Sequence, residues 1–425
     1  MNPVKDDRFH NRGLHNFESN LTQPRHRWYP FKEGFSGELV SLAISTAARS
    51  GSESFKILDP FSGSGTTPVT AALAGHEAYA LEVNPFCSFA TRVKCMPRVW
   101  RERPFLDRLE KVVHKASKDL KPCALENQST FSSAAGGEKW LFNQSVLRAF
   151  SSTWRANNNI GASYNAAFRL AALRAAMVCC NAKKDGKALR YYSDWKQRNY
   201  SSDKFFESFR QIAAQFRIDT EIATIPHNAK VIVRTGDSRS TMNQLPNGFF
   251  DLLITSPPYL NSLDYSDVYR PELFLGGFVK SNEDLRKIRL RTVRSHLQVN
   301  WPGNVSVKAN SLEGPLAQLN GCDVLWNSKL PRMVEAYFHD MQLVFRHSAR
   351  VLKPKAQAWI VVSTSAYAGV HIPVDLILAE IATRNGFELS GIYVMRSLRA
   401  AGQQQKKLGT KGFPLRESLV QLVRR

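Results

Sequence analysis

Ser256, Pro257, Pro258 and Tyr259 follow directly on Asp251-Leu-Leu-Ile-Thr255, and their types and order suit one kind of chemistry. Ser256 offers a hydroxyl, and the proline carbonyls beside it have no obligatory sheet partner. Together they can accept hydrogen bonds from an exocyclic amine on a nucleobase. Tyr259 offers a flat face on which a base flipped out of a duplex can stack. An aromatic amine is a poor nucleophile because its lone pair is delocalised into the ring. Acceptors that draw its hydrogens out of plane localise that pair and prepare it to attack a methyl group. The plainer alternative is a strand ending in a Pro-Pro turn, with Tyr259 as packing.

The elements around these residues decide between the two. The apolar run before Ser256 reads as a buried parallel strand, and two prolines without N–H groups must end it. Ser256 and Tyr259 then stand at the carboxyl edge of a sheet, where open α/β folds bind ligands. A second stretch, Phe55-Lys-Ile-Leu-Asp-Pro-Phe-Ser-Gly-Ser-Gly-Thr-Thr67, reads as a strand (Phe55–Leu58), a glycine turn that lets backbone approach a ligand at Gly63 and Gly65, and a helix capped by Thr66-Thr67 that stops at Gly75. The next strand, Glu77–Leu81, ends at Glu82, about 17 residues after Gly65, where an acidic residue can bind a ribose diol. Asn84-Pro85 open a further helix. A third strand, Val231–Val233, ends in Gly236-Asp237-Ser238, which places Asp237 to accept from the amino group of a cofactor base. The glycine loop lacks the lysine of a P-loop and the third glycine of the dinucleotide fingerprint, so the pattern fits a nucleoside-containing cofactor other than NAD.

Composition narrows the partner. The 425 residues include 58 Lys and Arg against 36 Asp and Glu, a formal charge of +22, which favours a polyanion, most simply nucleic acid. Basic residues interleave with aromatics at Lys183–Tyr192 and Trp195–Tyr200, as a nucleic-acid groove requires. Arg286, Lys287, Arg289, Arg291, Arg294 and His296 form a second basic stretch, expected to be largely loop. The six cysteines form no C-x-x-C and no metal-ligand spacing, which indicates reduced thiols in a cytoplasm and no metal. The N-terminus has no apolar signal core, and the apolar helix around Phe168–Cys180 carries Arg169 and Arg174, which excludes a membrane span.

Three regions follow: an N-terminal arm and cofactor-binding half (1–95), a mainly helical insertion (96–228), and a catalytic half (229–425) with a basic insertion at about 260–330. Residues 1–25 read as an arm or ordered loop on the surface. The aromatic cluster His26–Ser36 covers either a ligand or the core. Toward the C-terminus the expected elements are a helix over Pro331–Leu352 stopped by Lys353-Pro354, a strand Ala358–Ser363 and a helix Val374–Asn385. Strands Ile392–Arg396 and Ser418–Val423 flank an exposed basic hairpin loop at Gln403–Lys411.

With these motifs in place, the chain resembles the amino-group (cytosine-N4 and adenine-N6) DNA methyltransferases that use S-adenosylmethionine. Asp59–Thr67 is similar to that family's cofactor loop, Leu81–Pro85 to its ribose-binding strand end, Gly236–Ser238 to its adenine-side motif and Thr255–Tyr259 to its catalytic motif. Phe31–Leu39 is similar to the motif that closes over the methionine end. The resemblance implies an α/β, Rossmann-like seven-stranded sheet with the last strand antiparallel. It implies double-stranded DNA as the partner, direct methyl transfer to a flipped base and a bacterial or phage-borne setting, the enzyme either paired with a cognate endonuclease in restriction–modification or working alone. Its site would comprise Phe35, Asp59, Phe61, Gly63, Gly65 and Thr66 on the methionine side, Glu82 and Asn84 at the ribose, and Asp237 and Ser238 at the adenine. Ser256 and the Pro257 carbonyl would accept from the target amine, with Pro258 and Tyr259 completing the base site. Serine at position 256 is the form associated with cytosine-N4, where Asp or Asn is usual in adenine-N6 enzymes. Rival readings are adenine-N6 methylation, methylation of an RNA base amine, and an inert DNA-binding protein that keeps the fold. A cytosine-C5 enzyme with Cys123 as nucleophile is rejected, because Cys123 follows no apolar strand and Thr255–Tyr259 would have no role.

Overall fold

Strands that are apolar on both faces must be covered on both sides, and the central strands here are of that kind. The chain, described by a computed structural model over residues 2–48, 54–128, 130–185, 188–298, 303, 305–398 and 415–425, builds one seven-stranded sheet. Its strands are β1 (Lys56–Asp59), β2 (Glu77–Glu82), β3 (Lys230–Thr235), β4 (Phe250–Thr255), β5 (Leu352–Ser363), β6 (Phe387–Leu398) and β7 (Leu415–Arg424). Their spatial order is β6-β7-β5-β4-β1-β2-β3. β7 runs antiparallel to both neighbours, whereas the strands from β5 to β3 are parallel. This is a Rossmann-like seven-stranded sheet with its last strand antiparallel, as the resemblance implies. The chain leaves β1 toward β2 and β3, then returns to place β4 on the other side of β1, so the β1–β4 crevice is the topological switch point.

The helices that cover this sheet begin with α1 (Gly37–Ala47), α2 (Thr66–Leu73) and α3 (Pro85–Lys94). Gly65, rather than Thr66 or Thr67, is the N-cap of α2, at φ 91°. A Cβ at Gly65 would lie 2.7 Å from Thr91 Oγ1, so both the turn and the α2–α3 packing require glycine. At the other end of the sheet, Lys353-Pro354 do not form a loop: β5 starts directly after the helix Leu330–Val351 and includes them. Lys355 has φ 65°, and the β4–β5 register shifts between Phe250/Leu352 and Leu252/Gln357. That irregularity is what admits a proline to the strand.

Between α3 and β3 lie four longer helices, α4 (Glu102–Lys118), α5 (Gln144–Ala156), α6 (Ala162–Val178) and α7 (Ser202–Ile222). Phe105, Phe168 and Phe209 meet edge to face between them. The stretch after Tyr259 is more helical than expected, with helices Arg270–Leu275, Asn282–Arg291 and Asn310–Asn320. Six of the ten residues of Asn282–Arg291 are charged, which leaves few apolar positions to show its period, although Ser281 Oγ caps it by accepting from Asp284 N. The N-terminal segment is docked rather than loose. Val4 exchanges backbone hydrogen bonds with Ile392 and Val394 of β6, and Phe9, Leu14 and Phe17 are buried. The Gln403–Lys411 run lies outside the described residues. No described helix is long and apolar enough to cross a membrane.

The segment before α1 is tied to α7 by Asp219, which is fully buried. Asp219 accepts from Arg25 N (3.1 Å), Trp28 Nε1 (2.9 Å), Gln215 Nε2 (2.8 Å) and the Arg27 guanidinium. Asp219→Asn turns an NH₂ toward these donors and leaves Arg27 without its anion. The expected cost is about 3 kcal/mol, read as a lower urea midpoint at unchanged slope. A loss below about 0.5 kcal/mol would contradict this role for Asp219.

Candidate functional site

One cavity runs along the carboxyl ends of β1 to β4, and its unfilled space, open mouth included, is about 1110 Å³. Phe35, Asp59, Phe61, Gly63, Thr66, Glu82, Asn84, Asp237, Ser238, Ser256, Pro257, Pro258 and Tyr259 all line it. Gly65 does not; it lies behind the loop and shapes it through its backbone.

The glycine loop and β4 are joined at the crevice. Thr255 Oγ1 donates to Asp59 Oδ1 at 2.6 Å, and Phe61 N donates to the same oxygen at 3.0 Å. Burial pushes the Asp59 carboxyl up to about 6, against the hydrogen bonds from Thr255, Thr67 and Phe61. Gly63, at φ 51°, brings the loop under the ring of Phe31, where a Cβ would stand 2.8 Å from Phe31 Cε1. Gly63 N and Asn84 N each donate to the Glu82 carboxylate at 2.8 Å. Two backbone donors thus fix the carboxylate in the cavity wall with lone pairs left over, the arrangement that can receive a vicinal diol. Burial nevertheless pushes Glu82 up to about 7. The Asn84 side chain caps α3 by accepting from Phe86 N at 3.0 Å.

Asp237 is more constrained than its sequence position indicates. Arg239 grips both its oxygens, Nε to Oδ1 at 2.9 Å and Nη2 to Oδ2 at 2.7 Å. The same guanidinium reaches Asp340 at 2.7 Å and donates to Thr292 O at 3.1 Å. Asp340 in turn pairs with Arg294 at 2.7 Å. Arg239 therefore ties the end of β3 to the helix Leu330–Val351 and to the 291–296 wall of the cavity. Ser238 Oγ donates to Pro60 O and so leans on the glycine loop.

At the other end, the Tyr259 hydroxyl donates to Glu417 of β7. Glu417 also takes Arg396 Nε of β6 at 2.7 Å. The ring of Tyr259 is thereby held from its far end, with one side on the cavity; burial, followed by the Glu417 charge, raises its hydroxyl pKa well above the ordinary value. Facing this edge are Tyr265 and Tyr269, and Phe31 stacks on Tyr269 with centroids 5.3 Å apart and planes 18° apart. His296 closes the wall near Thr292, 3.0 Å from Thr292 Oγ1, and burial holds its pKa below the usual range. Glu33, Tyr265, Tyr269, Arg239 and Glu417 were not singled out by type or spacing. Glu33, Tyr269 and Glu417 acquire their places through partners far away in the chain, as Arg239 does through Asp340.

The basic stretches divide. Lys184 is not available to a polyanion: it is largely buried against Glu272, which also receives the Tyr29 hydroxyl. Arg198 pairs with Asp194 and lies 3.6 Å from the Tyr192 ring centroid, while Lys183 is exposed beside the same ring. In the second stretch Arg289 is engaged by Asp264 and Arg294 by Asp340. Arg286 and Lys287 reach acids on their own helix. Arg291 is exposed and lines the cavity. Cys123 lies outside the cavity, whereas Cys87 lines it, with its thiol pushed up by burial. Among the described residues no group of His, Cys, Asp and Glu is arranged to hold a metal.

The chain is 28% identical over 436 residues to the Type II methyltransferase M.AvaI of Nostoc, spanning 94% of this chain and 86% of that protein. It is 27% identical to the Type II methyltransferase M.BsoBI of Geobacillus stearothermophilus, over 95% of this chain and 86% of the relative. Among solved structures, the rRNA methyltransferase AviRa of Streptomyces viridochromogenes aligns over 93% of this chain and 86% of its own, at 10% identity and a TM-score of 0.30, a likeness too slight to carry an argument. No protein-family profile matches the chain.

If Glu82 receives a ribose diol, ligand binding should depend on pH. With its folded-state pKa raised to about 7, Glu82 contributes stability to the unliganded protein that is present below the ordinary carboxylate value and lost as pH rises through about 7. Donation from a ribose diol favours the ionised form. Affinity for adenosine, measured by calorimetry, should rise about tenfold from about pH 6 to about pH 8, and Glu82→Gln should be weak and flat across that range. A pH-independent wild type would contradict the assignment.

Proposed function

We propose, for a chain related over nearly its whole length to Type II methyltransferases, that it transfers a methyl group from S-adenosylmethionine to the exocyclic N4 amine of cytosine in double-stranded DNA. The observation that carries this reading is that a single cavity contains both the glycine loop with Glu82 and the Ser256–Tyr259 edge. In this reading a nucleoside methyl donor and a flipped base share that one cavity. Bound S-adenosylmethionine supplies an electrophilic methyl group.

In this reading Glu82 receives the ribose diol. Asp237 and Ser238 flank the adenine, with the Asp237 charge already met by Arg239. The methionine end lies between the glycine loop and the Phe31–Phe35 segment, beside Phe61 and Thr66. Ser256 and the Pro257 carbonyl accept the hydrogens of the target amine, while Pro258 and Tyr259 confine the ring. Because Tyr259 is anchored by Glu417, little ring freedom remains to be lost when a base stacks on it. Positioning supplies much of the acceleration.

In this reading the regions 1–95 and 229–425 make up the catalytic unit, and target recognition belongs to the helical region 96–228, to 260–330, or to both. Lys183 and Arg291 are exposed cations placed to meet phosphates. The Type II relatives favour a cytoplasmic restriction–modification setting with a cognate endonuclease.

Ser256→Ala should lower turnover by about 10²-fold, the size of effect seen when one positioned polar group is removed from an active site. Its affinity for S-adenosylmethionine should stay within about twofold. Tyr259→Ala should raise the KM for DNA as well as lower kcat. Labelled-methyl transfer and calorimetry read the two quantities separately. If Ser256→Ala abolished cofactor binding but left turnover per bound cofactor normal, the assignment of Ser256 would fail.

A further inference from the structure

Glu33 gives the cavity a buried carboxylate oxygen that no group of the described protein engages. Its Oε2 accepts from the Tyr269 hydroxyl at 2.7 Å. Its Oε1 is buried and has no hydrogen-bond partner. The other carboxylates on the cavity wall are already held: Asp59 by Thr255 and Phe61 N, Glu82 by two backbone N–H groups, and Asp237 by Arg239. The cation nearest in role, Lys184, lies over the Tyr269 ring, 3.5 Å from its centroid, but its ammonium is bound to Glu272. A buried acceptor left without a donor is unfavourable, and a carboxylate more so, so this position calls for a cationic N–H donor from a ligand.

The surroundings say which part of a ligand arrives there. Glu33 belongs to the turn closed by Gly34 N donating to Phe31 O at 3.0 Å. That turn sits on the glycine loop through the Phe31–Gly63 contact. Phe31 and Tyr269, stacked on one another, make an aromatic rim beside the carboxylate, and such rims favour cations. We infer that Glu33, held in place by Tyr269, receives the α-ammonium of the methyl donor's amino-acid portion. This rests on the S-adenosylmethionine reading above and adds the residue that discriminates a zwitterionic amino-acid end from a bare nucleoside.

The test uses two ligands, S-adenosylhomocysteine and its analogue lacking the α-amino group, titrated by calorimetry into the wild type and Glu33→Gln. The wild type should bind S-adenosylhomocysteine about 10–100-fold more tightly than the des-amino analogue, each tenfold step being about 1.4 kcal/mol. Glu33→Gln should bind the two alike, at about the wild type's affinity for the analogue. Tyr269→Phe should fall between, because Glu33 keeps its charge but loses its orientation. If the wild type does not discriminate between the ligands, or Glu33→Gln weakens both equally, the inference is overturned. The same holds if Glu33→Gln leaves binding intact and lowers only turnover, which would place Glu33 at the target base. If the wild type binds neither ligand, the failure lies in the cofactor reading itself.

Discussion

The hydrogen bond from Thr255 to Asp59 joins the two strands on which the site is built. β1 and β4 are neighbours in the sheet but nearly 200 residues apart in the chain, Asp59 and Thr255 being partners at 2.6 Å across a sequence separation of 196. Each residue ends its strand and each begins a functional loop. With Asp59 buried, the bond is shielded from water and fixes the glycine loop against the Ser256–Tyr259 edge. Without that registry the two motifs would still form, but they would not face one cavity. Asp59 thus acts first as a brace; its partial protonation near pH 6 follows from the same burial.

Around this brace the cavity walls come from distant segments, each held by its own polar link. Phe31 closes on Gly63, where only glycine leaves room. Arg239 locks Asp237 to Asp340 and to the 291–296 wall. Glu417, on the last strand, holds the hydroxyl of Tyr259. The antiparallel β7, held between β6 and β5, therefore also carries the acid that fixes the ring of Tyr259. Lys184 and Glu272 bring the helical region up against Tyr29 and Tyr269 through one buried ion pair.

Much of this was legible in the sequence because it obeys local rules. The apolar run into Pro257-Pro258, the Gly63–Gly65 turn and Glu82 at a strand end each need only a short window, and all the segments meet as expected at one sheet edge. What stayed hidden is non-local. Nothing near Glu417 indicates that it binds a tyrosine 158 residues away, and nothing near Asp237 other than Arg239 itself shows that its charge is already met. Glu33 looks like one polar residue in an aromatic stretch; only the fold reveals that one of its oxygens is buried and unmatched. The helix Asn282–Arg291 is obscured by its charge density, and Lys184 reads as a nucleic-acid contact because its burial against Glu272 depends on tertiary packing. Gly65 was assigned to the ligand and turned out to shape the loop from behind.

The central claim is that one cavity presents a methyl donor to the amine of a flipped cytosine. The most direct measurement is to incubate the protein with isotopically labelled S-adenosylmethionine and unmethylated genomic DNA, digest the DNA to nucleosides and identify the labelled product by mass spectrometry. The account predicts labelled N4-methylcytosine. Labelled N6-methyladenine would contradict the role given to Ser256, and the absence of any labelled nucleoside would contradict the catalytic reading of the cavity.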